Sequence, residues 1–370
     1  MQKVFIKTYG CQANFGDSET IAGILKKNNF EITDHKKDAD FIVLNSCSVK
    51  NKTQSKIFDY IEKNKKKKII VGGCLTKTLD LRKRFPEIFG LFDTNSITKI
   101  HEIIKEKKDI FSDKKENRIS VPIARIGKET AIVNISQGCL NKCNFCATKL
   151  ARGNLKSYRI GEIKRVVENV AKENYKGIYL TSQDNGCYGF DLKTNLSDLL
   201  KELVSIDGDF VIRVGMMNPW HLRKSFLKLL EVYENKKIMK FIHIPIQSGS
   251  EKVLEEMGRT KDDLGIFRKI VYEFRKKFPE GTIATDVIVG YPTETDGDFE
   301  KTYEIIKEIK PEVLNISKFS SRPKTQASKL KQLSSEIIKE RAKKLNDLYK
   351  TYIKKVSRRK SLGELISEEI

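Results

Sequence analysis

The stretch AIVNISQGCLNKCNFCATKLARG, residues Ala131–Gly153, decides the fold. Ala131–Ser136 is apolar and β-branched and reads as a strand. The loop after it carries Cys139-x3-Cys143-x2-Cys146. Three thiolates this close can hold three irons of a four-iron cubane, leaving the fourth iron open to a small molecule. Zinc is the rival, but its structural sites usually want four protein ligands and C-x2-C pairs. Neither a histidine nor a fourth cysteine lies next to the motif. Cys187, on the loop after the next strand, reads more readily as a core thiol than as a ligand.

Downstream the strand pattern repeats. IYLTS (Ile178–Ser182), FVIRVG (Phe210–Gly215), KFIHIPI (Lys240–Ile246), TIATDVIVG (Thr282–Gly290) and VLNISKFS (Val313–Ser320) each follow a helical stretch. Six strands alternating with about six helices predict a six-unit (β/α)6 partial TIM barrel over residues 126–332. Beyond Gln332 a basic helical extension is expected, covering 333–370.

Upstream, residues 1–125 read as a separate α/β domain with a parallel sheet. KVFIKTY (Lys3–Tyr9), DFIVLNS (Asp40–Ser46) and KIIVGGC (Lys68–Cys74) are strand candidates. Helical patterns lie at about 18–28, 53–63, 79–85 and 96–107. Cys11, Cys47 and Cys74 each fall just past a strand's carboxyl end. In a parallel sheet those ends share one edge, where such folds bind ligands, so a second shared metal site is expected. Gly72 and Gly73 are expected to let the backbone approach it. Residues 109–128, with DKKEN at 113–117 and Pro122, read as a linker.

Composition narrows the function class. The chain has 370 residues, 39% of them hydrophobic, which excludes a collagen-like or wholly disordered chain. Lys and Arg total 71 against 49 acids, a net charge of +22. A lysine-rich background supplies part of that excess; a nucleic-acid partner would account for the rest. No apolar run reaches the roughly 20 residues that span a bilayer, and the start, MQKVFIKTYGC, has no apolar signal region. A soluble cytoplasmic protein without membrane attachment is expected. In a reducing cytosol the seven cysteines point to metal ligation rather than disulfides. No Walker or dinucleotide fingerprint is present.

The combination YGCQANFGDSE, LNSCSVK, VGGC and ISQGCLNKCNFCATKLARG resembles the radical S-adenosylmethionine methylthiotransferases over residues 1 to about 350. LTSQDNGCYG, IRVGMMNP, HIPIQSGS, ATDVIVGYPTET and FSSRP are most similar to the archaeal and eukaryotic-type branch, which modifies N6-threonylcarbamoyladenosine next to the anticodon of transfer RNA. The resemblance implies a [4Fe-4S] cluster on Cys139, Cys143 and Cys146 that binds S-adenosylmethionine and yields a 5′-deoxyadenosyl radical. It implies a second [4Fe-4S] cluster on Cys11, Cys47 and Cys74 that supplies sulfur, with sulfide or polysulfide as donor. A second S-adenosylmethionine would donate the methyl group. A one-electron reductant, a sulfur-delivery system and a tRNA anticodon stem-loop are the implied partners. A relative acting on isopentenyladenosine or on a protein side chain, and a zinc-stabilised RNA-binding protein, stay open as alternatives.

Further site residues follow from position. Ser182, Gln183 and Asp184 follow the second barrel strand, where loops face the cofactor, and Asp184 is expected to accept from an amino or ribose group. Arg213, inside an apolar strand, needs a partner, for which its fixed fork suits a carboxylate, and Gln247 is placed to hydrogen-bond the adenosyl group. Strand-end polar residues also serve turns and buried backbone groups, which is the competing role for each. Lys149, Arg152, Lys156, Tyr158, Arg159 and Arg322 combine cations with an aromatic ring near the barrel mouth and are expected to contact RNA. Two departures from the family stand out. Lys324 replaces the glycine usual after the RP dipeptide. The chain also stops at Ile370, without the small all-β TRAM domain of most members. Were that module absent, the basic helix from Glu336 to Lys360 and the barrel mouth would carry more of the tRNA contact.

Overall fold

A computed structural model gives the fold and describes residues 1–49, 51–260 and 262–356. The last part of the expected basic extension, 357–370, lies outside the described residues.

The N-terminal strands are β1 (Lys3–Thr8), β2 (Glu31–Ile32), β3 (Phe41–Ser46), β4 (Lys68–Gly73) and β5 (Gly90–Leu91). They pair in the order β2-β1-β3-β4-β5, all parallel. Strand β3 is buried throughout, and its residues alternate between two cores. Phe41 and Val43 pack with Val4, Ile21, Ile70 and Phe92 on one face. Ile42 and Leu44 pack with Ile57, Ile61, Ile69 and Val71 on the other. A period-two alternation with both sides apolar is what helices on both faces of a parallel sheet require.

Strand β6 (Thr130–Asn134) opens the second unit. A short antiparallel pair follows, β7 (Ser136–Gln137) with β8 (Lys156–Ser157). Next come β9 (Gly177–Thr181), β10 (Val211–Val214), β11 (Phe241–His243), β12 (Thr282–Val289) and β13 (Val313–Lys318). The long strands form two parallel three-stranded sheets, one of β6, β9 and β10 and one of β11, β12 and β13. A parallel bridge from Ile212 to Ile238 and the bond from Met217 N–H to His243 C=O (2.9 Å) join them. Six parallel strands thus succeed one another in chain order, as a six-unit partial barrel demands.

Helix Gln12–Lys27 is the keystone between the two units. It starts well before the expected residue 18, with Cys11 at its N-cap. The early turn is not amphipathic, because Asn14, Asp17, Ser18 and Glu19 are all buried and find partners elsewhere. Its contact with β6 is close: a Cβ on Gly16 would stand 2.4 Å from Asn134 Nδ2.

Residues 109–128, expected to be a linker, are a strap along this helix. Arg118 donates to Asp17 Oδ1 at 2.9 Å and Arg125 to Glu19 Oε2 at 2.9 Å. The backbone N–H of Ile126 donates to Glu19 Oε1 at 3.1 Å and that of Ala124 to Glu19 C=O at 3.0 Å. Buried carboxylates need such partners, and the polar look of the strap reflects that duty.

Helix Ser335–Val356 packs on the barrel through Ala342, Leu345, Leu348 and Tyr352. Buried Arg341 on the same helix pairs with Glu294 and Asp296, each at 2.7 Å. Among the described residues no helix is long and apolar enough to cross a membrane.

Candidate active site: two thiol triads

The parallel register puts Cys11, Cys47 and Cys74 past the same ends of β1, β3 and β4. Asn14 Oδ1 lies 3.8 Å from Cys11 Sγ and 3.9 Å from Cys74 Sγ. Asn14 in turn donates to Tyr9 and Ser46 C=O at 3.0 Å each, fixing the loops that carry the triad. The Val49 N–H donates to Cys47 Sγ at 3.4 Å. Cys11 is exposed, while Cys47 and Cys74 are buried. Burial pushes the Cys47 thiol up and that of Cys74 up to about 12, with Arg152 pulling each back. Gly72 and Gly73 serve packing rather than cluster access. A Cβ on Gly72 would enter the Phe92 ring, and Gly73, at φ +93°, would meet Asn45 and Ser46.

The barrel triad sits on the loop after β6. Asn144 anchors this loop through its N–H to Met257 C=O (2.9 Å), its Nδ2 to Glu256 C=O (2.8 Å) and its C=O to Ala327 N–H (3.0 Å). Cys139 Sγ accepts from Asn141 N–H and Cys146 Sγ from Lys149 N–H, each at 3.4 Å. All three cysteines are partly buried. Burial pushes Cys146 up and Cys143 up to about 12. Cys139 moves the other way, chiefly through its interaction with the neighbouring Cys187 thiol, whose sulfur lies 3.3 Å from Asp184 C=O. Cys187 itself is fully buried, and its sulfur, that of Cys139 and a carboxylate oxygen of Asp184 lie within 4.8 Å of one another. Backbone N–H groups aimed at sulfur, on soft thiols gathered in a loop, fit an iron–sulfur ligand set.

Of the residues expected around S-adenosylmethionine, three turn out to build the loop. Ser182 Oγ accepts from Asp184 N–H at 3.2 Å, and Gln183 Oε1 accepts from Gly138 N–H, tying the β9 loop to the cysteine loop. Asp184 is corrected from a ligand-facing acceptor to a structural one. It is buried and accepts from Gly186 N–H (2.9 Å) and Asn218 N–H (3.0 Å), with His221 Nδ1 at 2.7 Å. Burial works against a charged His221; the bond to Asp184 and its charge outweigh that and lift His221. Arg213 lies between the Tyr179 and Phe241 rings, 4.8 and 4.4 Å from their centroids, and its Nε has no partner. Gln247 sits half-buried at φ +68°, a strained backbone for a non-glycine residue, held by Asp286 and Ile288.

The RNA set is corrected more strongly. Tyr158 is buried in the barrel core and bonds to Gln137, so it offers no ring for a base. Arg152 and Arg322 are each only 4% exposed. Arg152 reaches Asp17 Oδ2 (2.6 Å) and Asn14 Oδ1 (2.9 Å), beside the N-terminal triad. Arg322 donates to Asn51 Oδ1 (2.6 Å), Gln54 and Val49 C=O, in the segment just after Cys47. Lys149 and Lys156 spend their ammonium groups on loop acceptors: Cys139 C=O and Asn154 Oδ1 for Lys149, Lys115 C=O for Lys156. Arg159 alone of the six is exposed. Lys324 stands at φ +66°, a conformation glycine adopts without strain, so the departure at this position leaves the turn possible. Sequence reasoning missed Asn14, Asp17, His221 and Asn218; buried polar residues in a helix start and a Pro-Trp-His turn were the only trace.

A parallel partial barrel with Cys-x3-Cys-x2-Cys after its first strand defines the radical S-adenosylmethionine enzymes, and residues 133–306 match the Radical SAM superfamily. Residues 3–92 match the group described as Uncharacterized protein family UPF0004. The chain is 41% identical over 360 residues to the "Probable threonylcarbamoyladenosine tRNA methylthiotransferase" of Pyrococcus abyssi, covering 94% of this chain and 83% of that protein. It is 35% identical over 367 residues to the human "Threonylcarbamoyladenosine tRNA methylthiotransferase", covering 95% and 63%. It therefore belongs to the threonylcarbamoyladenosine tRNA methylthiotransferase family of radical S-adenosylmethionine enzymes. In fold it is similar to the radical S-adenosylmethionine methyltransferase TsrM of Kitasatospora setae, with a TM-score of 0.64 and 12% identity, covering 89% of this chain and 75% of that one.

Proposed function

We infer that this chain converts N6-threonylcarbamoyladenosine beside the tRNA anticodon to its 2-methylthio derivative. The supporting observation is a pair of thiol triads in a chain 41% identical to a relative named for that reaction. Membership of the superfamily implies S-adenosylmethionine and one [4Fe-4S] cluster, which Cys139, Cys143 and Cys146 would hold. When bound, that pair supplies a carbon radical able to take hydrogen from an unactivated carbon. The protein's part is to hold the three thiols with backbone N–H groups and Asn144, with Cys187 lowering the Cys139 thiol beside it.

Cys11, Cys47 and Cys74 would hold a second [4Fe-4S] cluster carrying sulfide or polysulfide. Their fit rests on three converging thiols, an N–H aimed at Cys47 and buried guanidiniums beside them. The anticodon stem-loop is the substrate, a one-electron reductant and a sulfur-delivery system are the partners, and the net charge of +22 favours RNA over a protein substrate. Mass spectrometry of bulk tRNA nucleosides, with and without the gene, tests the reading. Loss of 2-methylthio-N6-threonylcarbamoyladenosine with gain of its precursor is expected. An unchanged pair, or a change in methylthio-isopentenyladenosine instead, rejects it.

A further inference from the structure

Two buried cations from the barrel unit end beside the N-terminal triad. Arg152, six residues after Cys146, donates to the Asn14 oxygen that also meets Cys11 and Cys74. Its carboxylate partner Asp17 is shared with Arg118, so that buried trio keeps one net positive charge. Arg322 is the sharper case. It is 4% exposed, its acceptors are two side-chain amides and one carbonyl, and its Nε has no partner. Among the described residues no carboxylate stands within ion-pair distance of it. A guanidinium stays charged even when buried, so an isolated one is costly unless an anion is near. The acceptors of Arg322, on Val49, Asn51 and Gln54, all lie in the segment that leaves Cys47, so its charge is anchored beside that thiol.

We propose that Arg152 and Arg322 are positioning residues for the auxiliary centre: buried counter-charges, lent by the barrel, that stabilise its reduced and sulfide-bound states. The proposal rests on the second cluster inferred above. An oxidised cube on three thiolates is already a net anion, and one-electron reduction or a hydrosulfide at the open iron adds a further negative charge. Net charge and hydrogen bonding near the sulfurs set the potential of such centres. The exchange is between the barrel's arginines and the sheet's thiols, so the centre depends on residues outside the unit that binds it.

The test uses the full-length chain with Cys139, Cys143 and Cys146 all changed to alanine, leaving only the auxiliary centre. Iron content is measured first, then the midpoint potential by EPR-monitored titration, then the response of the signal to added hydrosulfide. Arg322→Gln is expected to lower the reduction equilibrium constant about tenfold, about 59 mV for a one-electron couple, and to weaken hydrosulfide binding. Arg322→Lys should restore most of both. Arg152→Gln, which leaves Asp17 paired with Arg118, should move the potential in the same direction and serves if Arg322→Gln does not fold. A loaded centre whose potential and hydrosulfide response ignore these changes overturns the arginine role alone. An auxiliary triad that takes up no iron in the parent chain overturns the second cluster, and this proposal with it.

Discussion

The guanidinium of Arg152 meets the Asp17 carboxylate at 2.6 Å, joining a residue six positions past the last cysteine of the barrel triad to one six positions past the first sheet cysteine. The two thiol triads are therefore held in one framework. Thr94 strengthens the same joint by donating to Ala151 C=O at 2.6 Å.

That joint predicts a stability effect. Asp17→Asn leaves Arg118 and Arg152 buried without their shared anion. Breaking a buried pair in this way costs about 3–5 kcal/mol. Urea unfolding of the metal-free protein measures it, and a loss below about 1 kcal/mol would show the pairing to be dispensable.

The Cys139–Cys187 contact predicts a reactivity difference. The buried Cys187 thiol beside Cys139 lowers it. In metal-free protein near pH 8, Cys187→Ala should slow iodoacetamide labelling of Cys139 several-fold. Cys187→Ser, which keeps a donor, should slow it less. Peptide mapping by mass spectrometry reads both, and equal labelling in all three proteins would remove Cys187 from the picture.

A pH dependence follows from the buried thiols. Cys74 and Cys143 stand at about 12 in the fold, against about 8.5 for an unfolded thiol. The neutral form is the favoured one, so their contribution is intact below about pH 8.5 and is lost as pH climbs toward 12. Metal-free protein should lose unfolding free energy steadily across that window. A Cys74→Ala, Cys143→Ala variant should lose less over the same range, and parallel curves would contradict the assignment.

The two triads should separate in function. Cys143→Ala is expected to abolish 5′-deoxyadenosine formation. Cys47→Ala should retain that activity and yield no methylthio nucleoside. Anaerobically prepared parent protein should carry about eight irons, and each triple-alanine triad variant about four. Methylthio product from the Cys47 variant would dismiss a sulfur-supplying role for the sheet.

The cysteines were legible because strand ends of a parallel sheet are fixed by pattern alone. Phe41–Ser46 and Lys68–Gly73 announce themselves by β-branched runs, and the next residue is the thiol. Arg152 and Arg322 escape a sequence reading for one physical reason: in a lysine-rich chain a lone cation looks solvated. Their actual partners stand far off in sequence, 138 positions for Arg152 and Asn14 and 271 for Arg322 and Asn51. Tyr158 escapes it because its place in the barrel core, bonded to Gln137, has no local mark. Asp184 misled similarly. A carboxylate after a barrel strand suggests a ligand, but His221 and Asn218, a whole barrel unit later, consume it. The strap at 109–128 looked like a linker because its polar residues match carboxylates on a helix more than ninety positions earlier, and nothing local reveals such a match.

Helix Gln12–Lys27 is sheathed by the sheet, the strap and β6 together. Cutting the chain between 109 and 117 would sever the fastening instead of a spacer. A sheet released by a cut ahead of Arg118 would show water two naked acids, Asp17 and Glu19, and the barrel would carry off Arg118, Arg125 and Arg152, the three guanidiniums that matched them. The heritable building block is the pair of units, and grafting either onto a foreign protein would transplant half a lock.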